Sequence, residues 1–337
     1  MPDRLRVSLD AIAEWHWLCH CAALAARGKR QRPAVQQYFN NFEHSTAVVA
    51  QALRAGELPV GSFRSFAIRD PKPRTIHAAP FADRVAHHAL IGQLAPRFEK
   101  SQVDSSYACR SGKGSHAAIL AAQNIAARSP WLLKMDVHSY FARIDHVILL
   151  GLLKRLFKGA DLHRLLANVV AGFSTEPGLG LPIGALTSQY FAKHYLDGFQ
   201  RALRVQPGVI AELRYMDDQW VGCRSRAAAR ETAAFATDWL QHHRHLKLKP
   251  VWIQRSAIGL PFCGFRVSSD RLRLGRRRMR AIRRHYEKIG HQFEMGKLSE
   301  LKAQQRLCSV TSLASPGCHA SAMKKIIESS GINQICC

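Results

Sequence analysis

Three aspartates, carried on two short apolar stretches, constrain this chain more than any other feature. Leu132-Leu133-Lys134-Met135-Asp136-Val137 reads as a strand that ends in a carboxylate. Asp217 follows Asp136 by 81 positions, within Tyr215-Met216-Asp217-Asp218, which reads as a strand–turn–strand with two adjacent carboxylates. A sheet that sets these elements side by side gathers three negative charges at one end, and they repel unless cations hold them. Carboxylates that leave room for waters and phosphate oxygens suit Mg²⁺. Two such ions about 3.5–4 Å apart stabilise the attacking and leaving oxygens of an in-line phosphoryl transfer.

Charge narrows the substrate. The 337 residues carry 49 Lys and Arg against 24 Asp and Glu, a formal net charge of +25. Self-repulsion on this scale opposes compaction, so it reads as the footprint of a polyanion, with nucleic acid foremost. Together the acids and the basic excess imply a nucleotide polymerase. With 47% hydrophobic residues the chain can bury a sizeable core and divide into two or three subdomains.

Apolar runs stay below the roughly 18 residues that span a bilayer. Met1-Pro2-Asp3-Arg4-Leu5-Arg6 leads into an amphipathic segment rather than a signal-peptide core, so a cytoplasmic protein without a membrane partner is expected. Nine cysteines, an odd number, do not make a secreted disulfide framework. His16, Cys19, His20 and Cys21 cluster without a second ligand pair at zinc-like spacing, so ordinary reduced thiols are expected.

Along the chain, residues 9–58 repeat apolar positions at helical spacing, with Ser8 as an N-cap. Residues 63–80 alternate around Asp70-Pro71-Lys72-Pro73 and read as a strand pair. Residues 81–99 return to helix, and the loop Arg110 to Ser115 precedes an alanine-rich helix. One or two helices are expected over 145–171. The loop Gly178 to Gly184 opens a helix with the stripe Phe191, Tyr195, Phe199 and Leu203. A helix from Ala227 to about His243 follows the aspartate hairpin. Then come extended pieces at Leu246–Ile253 and Phe262–Val267, and a basic helical tail from Arg271. The absence of regular βαβ alternation favours α+β over a doubly wound sheet. His87-His88 and His242-His243-Arg244-His245 lack partnering carboxylates and read as surface or phosphate-facing.

The succession of a strand ending in Asp136, a Leu181-Pro182-Ile183-Gly184 loop, Tyr215-Met216-Asp217-Asp218 and Gly259-Leu260-Pro261-Phe262-Cys263-Gly264-Phe265 resembles the reverse transcriptases over roughly residues 60–270. The resemblance implies Asp136 and Asp217 as metal ligands, joined by the Val137 backbone, with Asp218 weaker or in the outer shell. Phe141, five residues after Asp136, would lie under the incoming sugar and exclude a 2′-hydroxyl; on pattern alone it is equally a core residue. Asp145-His146 also matches, and reads as structural. Lys72-Pro73-Arg74-Thr75-Ile76 resembles the fingers hairpin, where Lys72 and Arg74 meet nucleotide phosphates or else template backbone, with Arg84 a further nucleic-acid contact. Ile183, Gly184 and Gln189 would face the nucleotide, with template contact the alternative for Gln189, and Tyr215 and Met216 the nucleic acid. Lys249 matches a lysine beside the leaving pyrophosphate, with Lys247 as rival and a solvated charge as the plain alternative, and Gly264 matches the primer grip. Lys193 stands where the family usually has Asn. Nine Lys or Arg between Arg271 and Lys288, among them Arg276, Arg277 and Arg278, suit a helix tracking a duplex backbone.

The expected fold is the α+β right-hand polymerase: N-terminal helices and fingers over 1–125, palm over 126–267 with a fingers/palm helix at 172–206, and a basic helical thumb over 268–337. The expected reaction is RNA-templated deoxynucleotide transfer with two Mg²⁺, Mn²⁺ substituting, and the partners are template RNA, the RNA–DNA duplex and dNTPs. Ile183-Gly184 with Ser188-Gln189 is most similar to the diversity-generating retroelement enzymes, which work with a small basic accessory protein. A retron or antiviral-defence reverse transcriptase is the alternative. A catalytically silent RNA-binding protein is a further one, disfavoured by the three intact acids.

Overall fold

A computed structural model describes residues 4–69 and 73–312. The chain begins with β1 (Leu5–Arg6), then α1 (Leu9–Ile12), α2 (Trp15–Ala26), α3 (Pro33–Asn40) and α4 (Phe42–Ala55). Ser8 caps α1 as expected, its Oγ accepting from the Ala11 amide at 3.2 Å. The Glu14 carboxylate caps α2 by accepting from the His16 and Trp17 amides at 2.9 and 2.6 Å. Such a cap satisfies amides that have no partner inside the helix. The hairpin β2 (Arg64–Arg69) and β3 (Pro73–Ala78) follows, then α5 (Phe81–Ser101) and α6 (Ser115–Arg128).

Next come β4 (Trp131–Asp136), a 3₁₀ turn at Tyr140–Arg143, α7 (His146–Leu156), β5 (Phe157–Lys158) and α8 (Ala160–Ala171). The rest of the chain runs α9 (Leu186–Tyr195), α10 (Phe199–Arg204), β6 (Val209–Tyr215), β7 (Asp218–Cys223), α11 (Arg226–Arg244) and β8 (Trp252–Arg255). It closes with β9 (Leu260–Phe262), β10 (Phe265–Val267), β11 (Leu272–Leu274), α12 (Arg276–Glu294) and α13 (Glu300–Ser312).

Three elements differ from expectation. The apolar stripe of Phe191, Tyr195, Phe199 and Leu203 is buried throughout, but it spans two helices. The chain breaks at Gly198, whose φ of 88° is open to glycine and costly for other residues. Phe262–Val267 is a tight hairpin rather than one extended piece, because Cys263 and Gly264 both take positive φ, 45° and 83°. The basic tail opens with β11 before its helix starts.

Two compact units divide the chain, and each is assembled from three separate stretches. One holds residues 1–109, 136–201 and 235–249; the other holds 110–135, 202–234 and 250–337. In the first unit α2 lies so close to α5 that a Cβ on Gly92 would sit 2.3 Å from the Trp17 ring, whose Nε1 donates to the Ala89 carbonyl at 3.1 Å. Phe98 of α5 is fully buried among Phe157, Tyr190, Phe191 and His194. Truncating a phenylalanine held this way costs about 3–5 kcal/mol. His87 is also 2% exposed, against the surface placement expected. The apolar positions Val85, Ala86, Ala89, Leu90 and Ile91 on either side of it leave α5 buried nearly all round.

The second unit carries the strand order β6-β7-β4-β8 and the three-stranded meander β9-β10-β11. Its helix α6 buries Ala118, Ile119, Ala122, Ile125 and Ala126 against β6, β7 and β10. The Trp220 ring of β7 lies tilted by 49° against that of Phe262, with centres 5.3 Å apart. Helices α12 and α13 close around Ile282, Tyr286, Ile289, Leu298, Ala303 and Leu307. Among the described residues no helix is long and apolar enough to cross a membrane.

Candidate active site

In the second unit, β6 and β7 pair antiparallel with Tyr215 opposite Asp218, which leaves Met216 and Asp217 as the two turn residues. Met216 has φ 58°. A left-handed non-glycine residue costs on the order of 1–3 kcal/mol, and such strain collects at functional turns. Arg214, buried in the strand below, donates to the Met216 carbonyl at 3.4 Å. The hairpin therefore presents Asp217 at its tip and Asp218 at the start of β7. Lys134 of β4 brings its Nζ to 3.1 Å from Asp218 Oδ1. The strand alternation that puts Lys134 and Asp136 on one face of β4 was the available signal for this pair, and sequence reasoning passed over it.

In the first unit the Asp136 carboxylate accepts from Lys249 Nζ at 2.7 Å. The two stretches are zipped by backbone bonds as well. Lys249 N donates to Asp136 O at 2.8 Å, His138 N donates to Lys247 O at 2.8 Å, and Val137 bridges Leu248. This register separates the rival lysines: Lys249 meets the carboxylate, while Lys247 engages through its carbonyl and its side chain is exposed. Val137 is fully buried.

Tyr140 and Phe141 share the turn after Asp136. Tyr140 is buried and donates its hydroxyl to the Ala192 carbonyl, while Phe141 is half-buried and sits edge-on to Tyr140 at 5.7 Å. The Phe141 carbonyl accepts from Leu181 N at 2.8 Å, and Ile144 O accepts from Gly180 N at 2.8 Å, so the Leu181-Pro182-Ile183-Gly184 loop is strapped along this turn. Asp145 caps α7 through the Val147 and Ile148 amides at 2.8 and 3.1 Å and meets His245 at 3.1 Å, a structural role. The far side of the loop docks on the β2–β3 hairpin. Ile183 O accepts from His77 N at 2.8 Å, and a Cβ on Gly184 would stand 3.0 Å from Ile76 Cγ2.

Arg74 is exposed on β3 opposite Ile68, and Lys72 lies outside the described residues. Arg84 is half-buried on α5 with its guanidinium 5.3 Å from the Phe81 ring centre; burial and then Arg32 hold its pKa below the usual arginine value. Gln189, on α9, accepts from Cys109 Sγ at 3.5 Å. Lys193, the departure from the family pattern, is fully buried and pairs with Glu99 at 2.7 Å.

Of the tail arginines, Arg276 and Arg277 are exposed, whereas Arg278 donates to the Cys263 carbonyl at 2.8 Å and lies 4.9 Å from the Phe265 ring centre. A Cβ on Gly264 would meet that guanidinium at 2.9 Å. Arg278 thus buttresses the β9–β10 turn, a role its place in a basic run did not reveal. Burial pushes the Cys263 thiol up to about 12, with Asp218 adding to the rise.

Among the described residues no three His, Cys, Asp or Glu side chains are grouped as a metal would require. Carboxylate oxygens are hard donors of the kind divalent cations take; in the first unit the Asp136 carboxylate holds the Lys249 ammonium at 2.7 Å, and in the second the Asp218 carboxylate holds that of Lys134 at 3.1 Å.

Small antiparallel sheets, an aspartate hairpin and a helical C-terminal region define a right-hand nucleic-acid polymerase fold. Residues 69–264, more than half of the chain, match the family described as reverse transcriptase (RNA-dependent DNA polymerase), and the chain belongs to that family. Protein YkfC of Escherichia coli (strain K12) is 22% identical over 254 residues, which is 68% of this chain and 65% of that protein.

Proposed function

We propose that this chain is an RNA-directed DNA polymerase. The observation that carries the reading is the family match over 69–264, which contains Asp136, Asp217 and Asp218 together with the strained turn that presents Asp217. Asp136, Asp217 and the Val137 carbonyl would hold Mg²⁺, or Mn²⁺ in its place, with Asp218 as the weaker or outer partner. When bound, the metals offset charge on the attacking 3′-oxygen and the leaving pyrophosphate. Lys249, already at Asp136, supplies a proton or positive charge to the leaving group. Arg74 and Lys72 take triphosphate oxygens. Phe141 bars a 2′-hydroxyl, while Ile183, Gly184 and Gln189 line the nucleotide. Tyr215, Met216, Gly264, Arg84 and the exposed tail arginines hold template RNA and the RNA–DNA duplex.

The test is primer extension on a defined RNA with dNTPs. Asp217→Asn should lose activity by several orders of magnitude while RNA affinity stays near native. Extension at the native rate by the purified variant would sink the assignment.

Within the family, the reading extends to an error-prone enzyme of a diversity-generating retroelement, aided by a small basic protein. Ile183-Gly184 and Ser188-Gln189 support it. A retron or defence enzyme copying its own structured RNA is the second reading. Errors concentrated opposite template adenines favour the first, and accurate copying of adenines favours the second.

A further inference from the structure

Lys193 has an unusual environment for an ammonium group. Its side chain is wholly buried on α9, yet Nζ donates to Glu99 Oε1 of α5 at 2.7 Å and to the Cys109 carbonyl at 3.2 Å, and it lies 4.7 Å from the Tyr190 ring centre. Burying a charge is costly unless it is paired and hydrogen-bonded. An uncharged residue could fill the volume, so the lysine accounts for itself by what it fixes.

It fixes Cys109. That residue sits at φ 51°, a backbone state that opposes a side chain and persists only when the surroundings hold it. The Lys193 ammonium grips the Cys109 carbonyl, and the Cys109 thiol in turn donates to Gln189 Oε1 at 3.5 Å. Gln189 precedes Lys193 by one helical turn, so the path Lys193–Cys109–Gln189 closes on a single face of α9. The thiol contact turns the Gln189 oxygen toward Cys109, which leaves its N–H groups as the end to meet an acceptor.

We infer that Lys193 is a positioning residue: through Cys109 it orients the Gln189 amide toward a hydrogen-bond acceptor on the incoming nucleotide. The inference rests on the reading of Gln189 as a nucleotide contact. It also assigns a purpose to the Asn-to-Lys departure on this helix.

A double-mutant cycle tests it, with KM for dNTP, kcat and melting temperature measured for each variant. Gln189→Ala should raise KM several-fold with a smaller effect on kcat. Lys193→Met should raise KM by a similar factor, and the double variant should be no worse than the worse single one. Cys109→Ala removes only the middle of the path, so it should raise KM at an unchanged melting temperature, and Cys109→Ser should restore part of the loss. The cysteine variants decide the matter if Lys193→Met does not fold. Additive effects of Lys193→Met and Gln189→Ala, or a lowered melting temperature with native KM in the lysine and cysteine variants, would overturn the inference and leave Lys193 a packing residue. Native KM in Gln189→Ala itself would overturn the nucleotide reading of that residue, and this inference with it.

Discussion

The amide of His77, on the β2–β3 hairpin, donates to the carbonyl of Ile183 at 2.8 Å. The loop expected to face the templating pair is therefore tied to the strand that carries Arg74, three residues earlier. An aliphatic side chain at 183 offers no hydrogen bond to hold a base in register. Ile183→Gln should lower the error rate opposite template adenines, read by sequencing cDNA from a defined RNA. Equal and low rates in both proteins would remove the error-prone reading.

Phe141 is half-buried while Tyr140 beside it fills the core position. On the proposed reading, truncating Phe141 should change selectivity more than stability. Phe141→Ala is expected to raise ribonucleotide over deoxynucleotide incorporation in a competition assay. An unchanged ratio with a large fall in melting temperature would return Phe141 to the core.

Arg276 and Arg277 are exposed, and Arg278 is engaged at the Cys263 carbonyl. Neutralising the first two should flatten the salt dependence of RNA binding by up to about two counterions. Arg278→Gln should leave that slope nearly unchanged and loosen the β9–β10 turn instead. Salt titrations of RNA affinity separate the two outcomes, and a slope lost only with Arg278 would reverse the roles.

His87 is buried with neither ring nitrogen hydrogen-bonded, and burial, then the neighbouring His88, pushes its pKa down to about 4 from an ordinary 6.5. The unfolded chain takes up this proton first as pH falls. Stability that is intact above pH 6.5 is therefore lost between 6.5 and about 4. The loss is on the order of 3 kcal/mol at the acid end. Thermal melts over that range should show a shallower pH slope for His87→Leu than for the native protein, and parallel slopes would assign the acid sensitivity elsewhere.

Much of the chain was readable because local patterns carried it. Short apolar runs ending in aspartate marked β4 and the β6–β7 pair, alternation and turn chemistry marked the β2–β3 hairpin, and Ser8 announced its helix. Asp217 stands at a hairpin tip because apolar strands flank it on both sides. What escaped notice depends on distance along the chain. Lys249 reaches Asp136 across 113 positions and Lys193 reaches Glu99 across 94, and neither separation leaves a trace in local periodicity. His87 was misjudged because a helix buried nearly all round has no polar face to announce it. The Cys263 turn was hidden because a left-handed cysteine gives no glycine-like signal at its own position.

The interleaving of the two units bears on synthesis at the ribosome. The first unit draws its last stretch from 235–249, so it lacks Lys249 until three-quarters of the chain has emerged. Asp136 spends that interval without its ammonium partner. Expression of an isolated N-terminal half would yield an unfinished body, because no single cut in the chain separates one unit from the other.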